Sequence, residues 1–201
     1  MKTHYLLIGL LSTMTIMSFK PLKTEKMKKV QSYTTSVTIQ LPAQKVWSLI
    51  FKEYGSVQDY ADQIHKSEYI NGYNESGENC ERICFLDHKK TTYYKEKMLN
   101  VDTVKMSYTN VMTEVGKLPI VPNISKTEFK VKILSNNSCE LIANSEYRTK
   151  PAFIGAIFKS KFKSTMTDYL ISVASYAQTG VPVNKENFKK IKKDYLTSQT
   201  K

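Results

Sequence analysis

The chain is poor in the residues that build several kinds of site. It has three Cys in 201 residues. Cys80 and Cys84 lie four apart in a strand-like run, so at about 3.3 Å per residue they stand roughly 13 Å apart, too far to bridge. Cys139 could reach one of them only across adjacent strands. No disulfide framework is expected, and free, mostly buried thiols are. Histidine is equally scarce, at three. His4 falls in an N-terminal apolar stretch, while His65 and His88 stand alone without ligand spacing, so no metal and no cofactor is expected. Arg82 and Arg148 are the only Arg among 30 basic residues. Readers of phosphates and base edges lean on the planar Arg fork. No zinc-finger, helix-turn-helix or RNP-like string occurs. Nucleic acid is therefore not an expected partner, although the formal net charge is +12. A Lys-rich solvated surface accounts for that charge, with attraction to an anionic membrane surface the next reading. No Gly-rich phosphate loop and no recognisable Ser–His or Cys–His motif is present.

What is present begins with an N-terminal apolar stretch. Lys2 precedes Tyr5-Leu6-Leu7-Ile8-Gly9-Leu10-Leu11, which weakens through Ser12 to Ser18. That resembles a secretory signal and falls short of the roughly 20 apolar residues that span a bilayer. Residues 1–18 are assigned as a signal peptide, or alternatively a short anchor, and 19–31 as a basic spacer. The protein is expected to be exported, to the periplasm or outside the cell, and to be membrane-associated if the anchor is retained. A domain over 32–180 and a basic tail over 181–201 follow. In the tail Phe188, Ile191, Tyr195 and Leu196 recur at helical spacing among Lys, which fits either a loosely docked terminus or a helix on a membrane surface.

Within the domain, residues 32–41 alternate, with Tyr33, Thr35, Val37, Ile39 and Leu41 on one face, as in a half-buried strand. Pro42 opens a helix whose buried stripe is Val46, Trp47, Leu49 and Ile50. Gly55 interrupts it, and a second short helix carries Val57, Tyr60, Ala61 and Ile64. Strand signals then run through 66–72, 80–87, 91–101, 104–112, 126–135 and 138–148. Their tight connections imply an antiparallel meander with one wet face. The loop Gly116–Asn123 is unusual, being apolar with two prolines. A helix is predicted over 151–178, opened by Pro151 and closed by Gly180, with Phe153, Ile157, Phe158, Phe162, Met166, Tyr169 and Leu170 on its apolar side.

This order of elements resembles that of the START-like superfamily, in particular its polyketide cyclase/dehydrase and lipid transport branch. The likeness rests on local pieces taken in order. They are the strand-to-helix entry Leu41-Pro42-Ala43-Gln44-Lys45-Val46-Trp47, the Gly55–Ile64 segment with Tyr60, Arg82, then Glu96, Met98 and Asp102, then Tyr108, and the Leu118-Pro119 loop. It covers roughly residues 32–178. Ala143 departs from it, standing where the family often carries a bulky aromatic.

The resemblance implies an α+β helix-grip fold, in which a curved antiparallel sheet wraps around a long C-terminal helix and two short helices follow the first strand. It also implies a cavity between sheet and helix. The expected cavity residues are Trp47, Tyr60, Arg82, Glu96, Met98, Tyr108, Asn110, Tyr147, Phe153, Ile157 and Phe158. Arg82 and Glu96 would lie on neighbouring strands, facing either the cavity or the wet side, because Ile83 and Phe85 could equally claim the interior. The expected function is binding of a hydrophobic small molecule, lipid-like or polyketide-like. One alternative is a cyclase/dehydrase-type enzyme using Glu96, Arg82 and Tyr108 for acid–base work. Another is an interaction module for proteins or membrane surfaces. Fold analogy does not choose between them, because this fold hosts carriers and catalysts alike.

Overall fold

The computed structural model describes residues 30–198. The alternating segment at its start forms β1 (Gln31–Ile39), and Pro42 caps α1 (Ala43–Lys52). The expected second short helix is a 3-10 helix, Tyr54–Asp59, that stops before Tyr60. The meander follows as β2 (Lys66–Tyr69), β3 (Glu81–Phe85), β4 (Tyr93–Asp102), β5 (Ser107–Val115), β6 (Lys126–Ser135) and β7 (Ser138–Tyr147). Three helices close the chain: α2 (Ala152–Ile157), α3 (Lys159–Thr179) and α4 (Phe188–Ser198).

All seven strands form one antiparallel sheet in the order β1-β7-β6-β5-β4-β3-β2. The first and last strands of the chain pair over their whole length, from Gln31 opposite Tyr147 to Ile39 opposite Cys139. The period of two then decides which residues turn inward. Val37, Leu141, Ala143, Phe129, Val131, Tyr108, Met98, Arg82 and Cys84 are all buried on the face covered by α1 and α3. Arg82, not Ile83, faces the interior. Ile83 and Phe85 occupy the outer face, where Phe85 is shielded by Tyr93 and by the Lys90 ammonium 5.0 Å from its ring centroid.

One irregularity aims side chains. Lys95 opposes Glu114, but Glu96 opposes Met112, so Thr113 is an extra residue in β5. A bulge of this kind bends a strand and resets its alternation. Without it Glu114 would follow Asn110 and Met112 inward. With it, Glu114 turns outward to meet Lys95 at 2.7 Å.

The predicted 151–178 helix is two helices. Phe158, with φ −96° and ψ 13°, leaves helical geometry between α2 and α3. The Thr149 hydroxyl accepts the Gly155 N–H at 2.7 Å and the Tyr147 hydroxyl donates to the Gly155 carbonyl at 2.7 Å, tying α2 to the end of β7. α3 instead packs across β1, burying Leu170, Ile171, Val173 and Ala174. Gly180, at φ 68°, ends it in the left-handed conformation that glycine adopts without strain. The tail is not a detached segment. Val183 is buried and its N–H bonds the Asp59 carbonyl at 3.0 Å. Phe188, Ile191 and Tyr195 pack on the core, and Lys192 Nζ meets Asp168 at 2.6 Å. Most of the apolar side of α4 is thereby occupied by protein, while Leu196 at its end stays exposed.

All three Cys are free and buried, as expected. Ala143 is fully buried between Thr35 and Phe129 in the register and does not line the cavity described below. The proposed signal, anchor and most of the spacer lie outside the described residues. Among the described residues no helix is long and apolar enough to cross a membrane.

Candidate functional site

The inner face of β3, β4 and β5 carries one charged cluster. Arg82 and Glu96 are direct register partners, 4% and 5% exposed. Arg82 Nε donates to Glu96 Oε1 at 2.7 Å, and a terminal nitrogen makes a second, very short contact to the same oxygen. Its other terminal nitrogen donates to the Tyr54 carbonyl, and its Cζ lies 3.6 Å from the Tyr54 ring centroid. Asn110 Nδ2 donates to Glu96 Oε1 at 3.0 Å, and the Tyr54 hydroxyl approaches it at 3.4 Å. Every one of these bonds to Glu96 ends on Oε1, and none uses Oε2. A carboxylate only accepts, which settles the Asn110 amide: its nitrogen faces Glu96 and its oxygen turns away. That Asn110 Oδ1 is buried without a partner.

The electrostatics follow from burial and pairing. Desolvation works against the Arg82 charge, but the Glu96 carboxylate, joined by Tyr54, Cys84 and Tyr60, outweighs it and holds the guanidinium well above its ordinary range. Burial also pushes the phenols of Tyr54, Tyr60 and Tyr108 far up, so they stay neutral.

Beside this cluster lies a cavity of about 260 Å3 between the sheet, the end of the 3-10 helix and the first half of α3. Arg82, Glu96 and Asn110 form part of its wall. The rest is mostly apolar, with Ile64, Met112, Leu118, Ile120, Phe129, Phe162, Met166 and Tyr169, while Asp62 and Lys126 add further charge. A larger depression of about 580 Å3 lies on the outer face of β1, β7, β6 and β5. There Thr34, Asn144 and Glu128 already bond one another, and Lys126 reaches Glu146 at 3.2 Å, so it is a solvated surface network.

The residues expected in the cavity separate into three groups. Arg82, Glu96 and Asn110 line it. Trp47, Tyr60, Met98, Tyr108 and Tyr147 do not, because they are packed into the protein itself. The hydroxyls of Tyr60, Tyr108 and Tyr147 are held by the carbonyls of Glu53, Ile50 and Gly155. The acid–base trio is therefore not assembled: Arg82 and Glu96 meet, while the Tyr108 hydroxyl is committed to the backbone outside the cavity. Phe153, Ile157 and Phe158 lie neither in the cavity nor in the core, being 63%, 68% and 50% exposed. The break at Phe158 takes them off the apolar side of α3.

Several lining residues were not expected. Met112 enters on the same inward parity as Asn110, and the bulge at Thr113, which has no sequence signal, keeps Glu114 out. Leu118 and Ile120 come from the apolar loop, whose composition was the available clue. His65 and His88 do not stand alone, since their rings lie 3.8 Å apart between centroids on the surface. Among the described residues no group of three or more metal-ligating side chains occurs.

The family model described as "Pathogenesis-related protein Bet v 1 family" matches residues 28–151, more than half of the chain. The chain belongs to the Bet v 1 family. The START-like resemblance and the helix-grip architecture hold for this Bet v 1 family member, including its curved seven-stranded sheet and C-terminal helices. Norcoclaurine synthase from Thalictrum flavum is similar in structure, at TM-score 0.57 and 18% identity over 75% of this chain and 94% of that one. The Zhui aromatase/cyclase from Streptomyces sp. R1128 matches at TM-score 0.58 and 15% identity, over 75% and 94%. Ara h 8.0201 matches at TM-score 0.60 and 12% identity, over 75% and 99%. At such identities these likenesses speak to the fold alone. No curated relative matches the chain by sequence.

Proposed function

We propose that this Bet v 1 family member is a binding protein for a small apolar molecule that carries a hydrogen-bond donor, a hydroxyl or an amine. The observation that supports this reading is the state of the polar groups in the cavity wall. The cationic donors are already engaged: Arg82 by Glu96 and Tyr54, Lys126 by Glu146. The acceptors are not, since Glu96 Oε2 is left over and both Asn110 Oδ1 and Asp62 Oδ1 are buried without partners. A ligand carboxylate would meet unsatisfied oxygens and repel them, whereas a donor would satisfy one. The volume, about 260 Å3, falls just below the usual span of ligand pockets, roughly 300–1,000 Å3. It suits a compact ring system better than a two-chain lipid. The mixture of Met, Phe and aliphatic walls tolerates different ring shapes.

The test uses three probes of one skeleton: 2-naphthol, naphthalene and 2-naphthoate, titrated by calorimetry or by probe fluorescence. The expected order is naphthol tightest, naphthalene weaker and naphthoate weakest. Leu118→Asp, at the cavity wall, should weaken all three. If none of them binds, the carrier reading fails. If naphthoate binds as well as naphthol, the donor requirement fails while the cavity reading stands.

A further inference from the structure

Large apolar side chains meet solvent at several places, and one short segment carries three of them, two of them Phe. Phe153, Ile157 and Phe158, all at least half exposed, belong to α2 and the residue that follows it. The helix is amphipathic in the inverse sense, with its smallest residue inside and its largest outside. Gly155 is pressed against the sheet so closely that a Cβ there would lie 3.0 Å from Thr149 Oγ1 and 3.4 Å from both the Tyr147 ring and Gln31. The Gly155 N–H donated to Thr149 and the Tyr147 hydroxyl donated to the Gly155 carbonyl hold that face down. The bulky groups are thereby turned to water by a rigid contact and do not merely dangle.

Charge surrounds them. Residues 147–167 contain no Asp or Glu, but carry Arg148, Lys150, Lys159, Lys161 and Lys163. Lys159, Lys161 and Lys163 are exposed and immediately follow the apolar patch. Aromatic and aliphatic groups that sink to the acyl boundary, framed by ammoniums at headgroup level, match an anionic bilayer. A protein partner fits less well, because Lys is depleted in protein–protein interfaces. The basic tail is a weaker claimant, because α4 uses Phe188, Ile191 and Tyr195 to pack on its own core.

We propose that α2 and the first turn of α3 form a docking surface for anionic lipid bilayers. The surface adjoins the cavity. Phe162, one turn beyond Phe158, lines it, and Lys150 N–H bonds the Pro119 carbonyl at 3.0 Å, joining α2's approach to the Leu118–Ile120 wall. Docking would set that end of the cavity against the membrane, where apolar small molecules dissolve. The proposal stands independently of what the cavity holds.

The test is cosedimentation of the full chain with phosphatidylcholine vesicles, with and without phosphatidylglycerol. Binding is expected only with phosphatidylglycerol, and it should fall as salt rises. Lys159→Gln/Lys161→Gln/Lys163→Gln should lose about fivefold in partitioning per lysine. Phe153→Ser/Ile157→Ser/Phe158→Ser should abolish binding and keep the wild-type thermal midpoint, because these groups contribute no core packing. A local readout separates this surface from the apolar N-terminal residues: Phe153→Trp should be quenched by brominated acyl chains. Failure of the full chain to bind phosphatidylglycerol vesicles, retention of binding by the triple Ser variant, or an unquenched Trp at 153 would each overturn the proposal.

Discussion

Replacing Glu96 by Leu removes the carboxylate around which the site is built. Arg82, 4% exposed, then keeps only the Tyr54 carbonyl and the face of the Tyr54 ring as partners. A buried charge stripped of its counter-charge costs about 3–5 kcal/mol. A domain of this size holds roughly 5–15 kcal/mol in total, so the variant should lie close to the edge of folding. With a urea slope of about 2 kcal/mol per molar, the unfolding midpoint should fall by about 2 M. The fluorescence of Trp47, the chain's single Trp and a core residue, reports the transition. The double variant Arg82→Met/Glu96→Leu should recover to within about 1 kcal/mol of wild type, because the desolvation penalty of both ions disappears with them. A loss below about 1 kcal/mol in Glu96→Leu alone would be the behaviour of an exposed pair, and would refute the buried, dry site. A double variant no better than the single would refute charge compensation as the cause.

Two further outcomes follow from other contacts. Ile191→Ala and Tyr195→Ala in α4 should each lower stability by about 1–2 kcal/mol, since both are partly buried against the core. A tail that rested only on lipid would leave the urea midpoint unchanged. At Asp62, burial raises the carboxyl pKa, with Asp168 adding to it and Lys185 and Lys192 opposing. A folded pKa above the unfolded value means that ionisation works against the fold, and the penalty develops as pH rises through that range. Asp62→Asn should therefore raise the thermal midpoint at pH 7 and have little effect below the unfolded carboxyl range, and an equal shift at both pH values would contradict the cause given.

The alternation of β1, β6 and β7 was readable because each strand has one buried and one wet face, so the period of two is written in the residues. The Arg82–Glu96 pairing was readable as a possibility, since strand order and turn positions placed them side by side. Its direction was not. Ile83 and Phe85 give the opposite parity an equal apolar claim, and the outer shielding of Phe85 by Tyr93 and Lys90 joins residues that only the folded chain brings together. Glu114 shows the same limit. An extra residue at Thr113 leaves no mark in the alternation until the partner strand is known. The tail's helical spacing was visible, but whether its apolar side met lipid or protein depended on the surface beneath it.

By itself the sequence determined the α+β order, the single antiparallel meander, the free thiols and the amphipathic character of the C-terminal region, because these depend on local periodicity and turn chemistry. The tertiary structure alone decided which way the charged pair faces, how large the cavity is and where the 151–178 helix breaks. Phe153, Ile157 and Phe158 continue the apolar row of α3 on paper. In the folded chain Gly155 presses against Thr149 and Tyr147, and that close contact turns the row outward. A contact between residues on different elements overrides a pattern within one, because packing at 3–4 Å is enforced by hard-core repulsion, while helical periodicity is only a preference.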